Sequence, residues 1–187
     1  SVRGIFSATV AQLKTVDGVG ENVAAYLRCV GKFYEVYRAA DEERFPKKFE
    51  AESFMAFVKE KYAPADKEVL DFYLIDEKQN IVLCKRFTID SPQRVVVKPE
   101  ELTKLIVENK PFGIVAVHNH LKGNCFPSVA DDKTTRQFQL ICSFHNVLFC
   151  DHFIYSPAGI YSYYKSGKMR EISRNFSIGS VLEREGG

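Results

Sequence analysis

Two histidines one residue apart, His118 and His120, close the apolar run Val115-Ala-Val-His118-Asn-His120. Ser128 follows eight residues after His120, and Asp131 three residues after that. The apolar run reads as a strand, along which side chains alternate, so His118 and His120 leave one face and Asn119 the other. Ser128 and Asp131, just behind Pro127, read as the start of a helix, where residues three apart are neighbours. The loop between, with Gly123 and Pro127, can fold that helix start back onto the histidines. Two neutral imidazoles and one carboxylate suit Zn²⁺ and leave a fourth position for water. Zinc held this way brings the pKa of a bound water to about 7, which supplies a hydroxide nucleophile at neutral pH.

Plainer readings exist for each half of the pattern. Pro127-Ser128-x-x-Asp131 is also a helix N-cap with an acidic third position, worth about 1 kcal/mol to the helix. A histidine pair by itself is common in surface turns. The conjunction is rarer: at this chain's own His, Ser and Asp frequencies it arises by chance on the order of 10⁻⁴ times per sequence of this length. Cap and metal site are also compatible, since Asp131 can serve the metal while Ser128 caps. Glu68 stands at the mouth of the apolar run Val69 to Ile75, where a carboxylate suits a general base; Glu77, Glu100 and Glu101 are open to the same role. All four histidines lie between His118 and His152. His145, near the end of a helix, reads as structural or exposed.

The elements that must position these groups can be read from periodicity. Residues 1–48 form an all-α segment, with Val10, Leu13 and Val16, then Val23, Ala24, Leu27 and Val30, at three- and four-residue steps. Between its two helices lies Val16-Asp17-Gly18-Val19-Gly20, where two glycines allow a tight turn with outward N–H groups ahead of a helix N-terminus. Such a turn is either a phosphate-binding hairpin centred on Gly18 and Gly20 or a plain helix–turn–helix packing unit. The charged stretch from Asp41 to Lys48 reads as a linker, and residues 49–65 carry a short helix from about Glu50 to Tyr62. The domain that follows, 66–165, opens with a hairpin, Val69 to Ile75 answered by Ile81 to Ile89 around a turn at Asp76 to Asn80, in a sheet covered on both faces. Val95 to Val97 is a further short strand, Pro99 starts a helix through about Asn109, and Phe112 to Val117 is a strand. A helix over 128–145 and closing strands over Val147 to Tyr155 and Ile160 to Tyr164 complete a mixed-sheet α/β domain. Residues 166–187 read as an extended C-terminal arm.

Composition bounds the function. The chain has 187 residues, 26 Lys+Arg against 24 Asp+Glu, and 45% apolar residues, which excludes a disordered chain or a disulfide scaffold. A domain of this size folds without metal, so a metal site here is for chemistry. A net charge of +2 makes no electrostatic claim on nucleic acid or membrane. The five cysteines, Cys29, Cys84, Cys125, Cys142 and Cys150, are scattered without C-x-x-C spacing and read as reduced thiols of a cytoplasmic protein. No run approaches the length that spans a bilayer, no secretory leader opens the chain, and the missing Met suggests a processed or truncated start. The pattern fixes no oligomeric state.

His118-x-His120-x7-Ser128-x-x-Asp131 matches the JAMM signature of the JAB/MPN metalloprotease fold at every spacing, and the wider chain resembles the bacterial RadC family. The resemblance rests on Glu68-Val-Leu-Asp-Phe-Tyr-Leu-Ile-Asp76, His118-Asn-His120, Pro127-Ser128-x-x-Asp131 and Asp151-His152-Phe-Ile154, in that family's order. It spans residues 1 to about 165, with Val16 to Gly20 where those proteins carry a helix-hairpin-helix. It implies a cytidine-deaminase-like JAB/MPN fold and a zinc hydrolase of peptidase or isopeptidase chemistry, with a peptide or protein substrate. It implies His118, His120 and Asp131 as zinc ligands, Ser128 as the serine that steadies the oxyanion, and Glu68 as the glutamate that carries the proton to the leaving amine. Asp151-His152 matches a D-H pair of the family, which is either a hydrogen-bonding support of the ligands or a satisfied histidine at a strand start. Leu121-Lys122-Gly123 departs from the family's Pro-Ser-Gly, which alters the loop and not the ligands; Cys125 in that loop is either near the metal or an ordinary thiol. The family's name also implies a second class of function, DNA-associated binding or processing through residues 16–20. Against tight binding, residues 1–45 hold six Lys/Arg and six Asp/Glu, so few counterions would be released. A third class is a metal-binding scaffold without catalysis.

Overall fold

Val69–Ile75 (β1) and Ile81–Thr88 (β2) pair antiparallel around the predicted turn. That turn is tied by Asp76, whose Oδ1 accepts from the N–H groups of Lys78 and Asn80, and Gln79 takes a positive φ of 64° to close it. This computed structural model describes residues 5, 8–41, 45–88 and 97–185, and of 34–41, 88, 184 and 185 the backbone alone. It divides into two compact units, Ser1–Phe45 and Pro46–Gly187.

In the first unit a short helix α1 (Val10–Leu13) begins in a capping box, Thr9 accepting from Gln12 N while the Gln12 side chain accepts from Thr9 N. The second helix, α2, spans Glu21–Asp41. Between them Gly18 has φ +82°, a left-handed conformation that explains why the turn needs glycine there.

The second unit is built on one five-stranded mixed sheet in the order β2-β1-β3-β4-β5, where β3 is Gly113–Asn119, β4 Leu148–Ser156 and β5 Gly159–Ser162. Strand β3 runs antiparallel to β1 and parallel to β4. A parallel neighbour requires a crossover, and the helix α5 (Val129–Phe144) makes it, after α3 (Ala51–Tyr62) and α4 (Pro99–Asn109). β1 and β3 are buried along their whole lengths, whereas β2 at the sheet edge leaves Val82 exposed. On one face α3 lays Phe54 edge-on against Tyr73 and beside Phe153. On the other, Leu70, Phe72, Leu74, Ile114 and Ala116 pack with Leu102 and Ile106 of α4 and Phe138 of α5. Burial at that density is the main stabilising term, at about 25 cal/mol per Å² of apolar surface.

Two expectations need correction or a boundary. The tail is not an extended arm: Lys168–Asn175 (α6) and Ile178–Glu185 (α7) are helical, and Met169 and Ile172, one turn apart, enter the main core. Gly167, at φ +80°, turns the chain into α6. Val95 and Val96 lie outside the described residues, and Val97 is buried but not in a strand. Among the described residues no helix is long and apolar enough to cross a membrane.

Candidate metal centre

The end of β3 and the start of α5 meet at one point. His118 Nδ1 lies 3.2 Å from the carbonyl of Val69, and His120 Nδ1 3.1 Å from that of Asn124. A carbonyl only accepts, so each Nδ1 carries the hydrogen and each Nε2 is left bare. Those Nε2 atoms face one carboxylate: His118 Nε2 is 3.9 Å from Asp131 Oδ1 and His120 Nε2 is 3.5 Å from Asp131 Oδ2. One ligand atom from each of the three lies within 4.8 Å of the others, and among the described residues no other such group of His, Cys, Asp or Glu forms. The two imidazoles sit edge to face, 4.9 Å apart.

Burial shapes the charges. It lowers the His118 pKa from its ordinary value, against the pull of Asp131, so that imidazole is a neutral donor at pH 7. His120, half-buried, is pushed up by the Asp131 carboxylate beside its Nε2, which favours the protonated ring while no metal is bound. Burial opposes the Asp131 charge too, but the pull of His120 and the hydrogen bonds from Ser128 outweigh it and hold this carboxyl well below the usual range.

Ser128 and Asp131 form the capping box the spacing predicts. Ser128 Oγ donates to Asp131 Oδ2 (2.7 Å), Ser128 N donates to the same oxygen (2.8 Å), and Asp131 N donates back to Ser128 Oγ (3.2 Å). The cap therefore aims the carboxylate as well as starting the helix. The neighbouring Asp132 takes hydrogen bonds from Tyr163 Oη (2.8 Å) and Lys168 Nζ (2.6 Å), so the tail helix α6 braces the same turn.

Glu68 lies beside this group. Its Oε1 accepts from Leu121 N at 3.3 Å, in the turn directly after His120, and its charge acts on both histidines. Glu77 sits in the hairpin turn and Glu100 and Glu101 in the first turn of α4, with Glu101 closing onto Lys98 N. Asn119, on the opposite face from the histidines, brackets Glu68: its Oδ1 accepts from Val69 N (2.7 Å) and its Nδ2 donates to the Lys67 carbonyl (3.0 Å). Strand alternation gives Asn119 its face but not its partners; being 1% exposed, it has to spend its amide on them.

Asp151 and His152 do not bond through the imidazole. As neighbours in β4 they point to opposite faces. Asp151 ties the end of β5 by accepting from Ser162 Oγ (2.5 Å) and Tyr164 N (2.9 Å), with His152 contributing only its backbone N–H (2.7 Å). The His152 ring turns to the metal-centre face, lies stacked on Tyr163 at 5.1 Å, and contacts Thr135 Oγ1 through Nδ1 at 2.8 Å. Cys125 is half-buried against Gly159 and outside the ligand group. His145 ends α5, its backbone N–H donating to the Ile141 and Cys142 carbonyls. In the first unit Lys14 and Glu21, on either side of the Val16 to Gly20 hairpin, form an exposed ion pair of 3.3 Å.

These neighbours have opposite pH linkages. Burial pushes His152 down to about 3, so between pH 3 and 6.5 the unfolded chain binds a proton the folded chain refuses, and stability rises with pH. Burial pushes Asp151 up to about 6 from 3.8; there the folded chain holds the proton, and stability falls as pH rises from about 4 to 6. In metal-stripped wild type these two slopes oppose each other, and the lowered His118 adds to the rising one. Urea unfolding from about pH 4 to 6 should show that the slope of stability against pH is less positive in His152→Phe than in wild type, by up to about 1.4 kcal/mol per pH unit. Identical slopes in the two proteins would contradict the assignment.

Residues 49–169 match the family profile of the RadC-like JAB domain. The chain is 24% identical over 159 residues to a UPF0758 protein of Lactococcus lactis subsp. cremoris, covering 83% of this chain and 69% of that protein. It is likewise 24% identical over 166 residues to a UPF0758 protein of Thermotoga maritima, covering 87% and 73%. A third, from Chlorobium chlorochromatii, is 24% identical over 169 residues, covering 89% and 75%.

Proposed function

Because the chain belongs to the RadC-like JAB domain family and brings two imidazoles and a carboxylate to one point, we propose that it is a zinc-dependent hydrolase of amide bonds, peptide or isopeptide. One observation carries the reading: both Nδ1 atoms are spent on carbonyls, so both Nε2 lone pairs are left facing Asp131. Two imidazole nitrogens and one carboxylate oxygen are a donor set that fits catalytic zinc, with a position left for water. Zinc bound there supplies Lewis acidity and brings a water's pKa to about 7.

The chain's own residues do the rest. Glu68, anchored at Oε1 by Leu121 N and bracketed by Asn119, takes the proton of the attacking water on its carboxylate and delivers it to the leaving nitrogen. Ser128 holds Asp131 in its ligating orientation with its one hydroxyl proton. Donating that proton to a developing oxyanion requires the hydroxyl to turn away from Asp131, where the one N–H of Ser128 still holds the carboxylate.

Stripping the purified chain with a strong chelator should abolish its turnover of a fluorogenic peptide and isopeptide panel, and one equivalent of zinc should restore it. Turnover that survives chelation, or a stripped chain that takes up no zinc, would overturn this function.

A further inference from the structure

Asp131 comes from α5 and the two histidines from β3, so something must fix the distance between helix and sheet. Thr135, one turn after Asp131 and fully buried, donates from Oγ1 to the Asp131 carbonyl at 2.6 Å. The same oxygen lies 2.8 Å from His152 Nδ1 on β4, the strand beside β3. A threonine hydroxyl has one proton. If it goes to the Asp131 carbonyl, His152 Nδ1 must carry a hydrogen and donate to Thr135, and the only group left without a partner is Nε2, which is indeed buried with none. If it went instead to His152, two oxygens would face each other at 2.6 Å without a proton and Nε2–H would be a buried orphan donor. The first arrangement leaves one buried group unmet and the second leaves two, so the first is favoured.

We propose that His152 is a positioning residue for the metal centre: as the Nδ1–H tautomer it clamps Thr135, and through it the first turn of α5, so that Asp131 meets the Nε2 atoms of His118 and His120. The clamp reaches across the β3–β4 pair, where His152 lies opposite Ala116, two residues before His118 on the same face. Tyr163 holds the imidazole flat by stacking on it and bonds Asp132 of the same helical turn. Supports of this kind orient ligands that they never touch directly, and their loss costs metal affinity more than it costs the fold.

The inference rests on zinc binding, and the test separates the two. Zinc affinity of the full chain is measured by competition with a chromophoric chelator, folding being checked by circular dichroism. Thr135→Val, which keeps the shape and drops the hydroxyl, should bind zinc about 10–100-fold more weakly, while Thr135→Ser stays within roughly threefold of wild type. His152→Asn places an amide N–H near Nδ1 and should retain affinity; His152→Gln places it near Nε2 and should lose it. In the metal-free chain, ring ¹H–¹⁵N spectra should show His152 neutral and protonated at Nδ1. A wild type that binds no zinc overturns both readings. If the wild type binds zinc and Thr135→Val equals it, or His152→Gln equals His152→Asn, or the ring proton is on Nε2, the clamp alone is overturned.

Discussion

Zinc-loaded Glu68→Gln protein should hold its metal as the wild type does and hydrolyse substrate about 10²–10⁴-fold more slowly. Glutamine keeps the size of the side chain and an oxygen that can accept from Leu121 N, so the turn after His120 stays closed. It loses the ability to take a proton. Glu68 is not one of the three ligand-bearing residues, so metal content and turnover part company in this variant, whereas substitution of His118 or Asp131 removes both. Parallel zinc analysis and kinetics on the peptide panel check it. Turnover within about threefold of wild type would move the base to another residue.

The second large effect concerns the opposite face of the sheet. Asp71 is fully buried in β1 and accepts from Arg86 Nε (2.9 Å) and Nη2 (2.8 Å) and from Tyr62 Oη (2.5 Å), with Lys61 Nζ at 3.3 Å. Burial works against its charge, yet the Arg86 hydrogen bonds and the Lys61 charge prevail and hold its pKa below the ordinary value. The network joins α3 to both strands of the hairpin whose first residue follows Glu68. Asp71→Ala deletes the carboxylate between two cations, and breaking a buried pair from one side costs about 3–5 kcal/mol. For a domain of this size that lowers Tm by roughly 10 °C or more. A loss under about 1 kcal/mol in urea unfolding at pH 7 would show that water reaches the cluster and screens it. The contribution is present above the ordinary carboxyl pKa of 3.8 and is lost as pH falls through the lower folded value.

The candidate metal centre is the most legible part of the sequence because His118, His120, Ser128 and Asp131 lie within 14 positions of one another, and strand alternation plus helix spacing determine how they meet. The hairpin, α3, α4 and α5 follow from periodicity and from caps that are local, such as Pro99 and Ser128. What escaped is what depends on distant partners. Asp71 sits inside an apolar run, and only Arg86 and Tyr62, brought in from β2 and α3, explain it. Asn119 lies on the face opposite the histidines, and that direction is what lets it bracket Glu68 through residues 67 and 69. Asp151 and His152 look like a pair in the chain, but pleating sends them to opposite faces. The period of a strand could have revealed this. The tail helices are only eight residues each, too short for periodicity to stand out, and the Met169 and Ile172 spacing that buries α6 is a single repeat.

The most direct measurement is X-ray absorption at the zinc edge on the full chain loaded with zinc. The expected result is one zinc per chain, surrounded by nitrogen and oxygen alone at about 2.0–2.1 Å, with the multiple-scattering signature of two imidazoles. A sulfur neighbour at about 2.3 Å, which would bring Cys125 into the site, or zinc below roughly a tenth of an equivalent, would contradict a centre built from His118, His120 and Asp131.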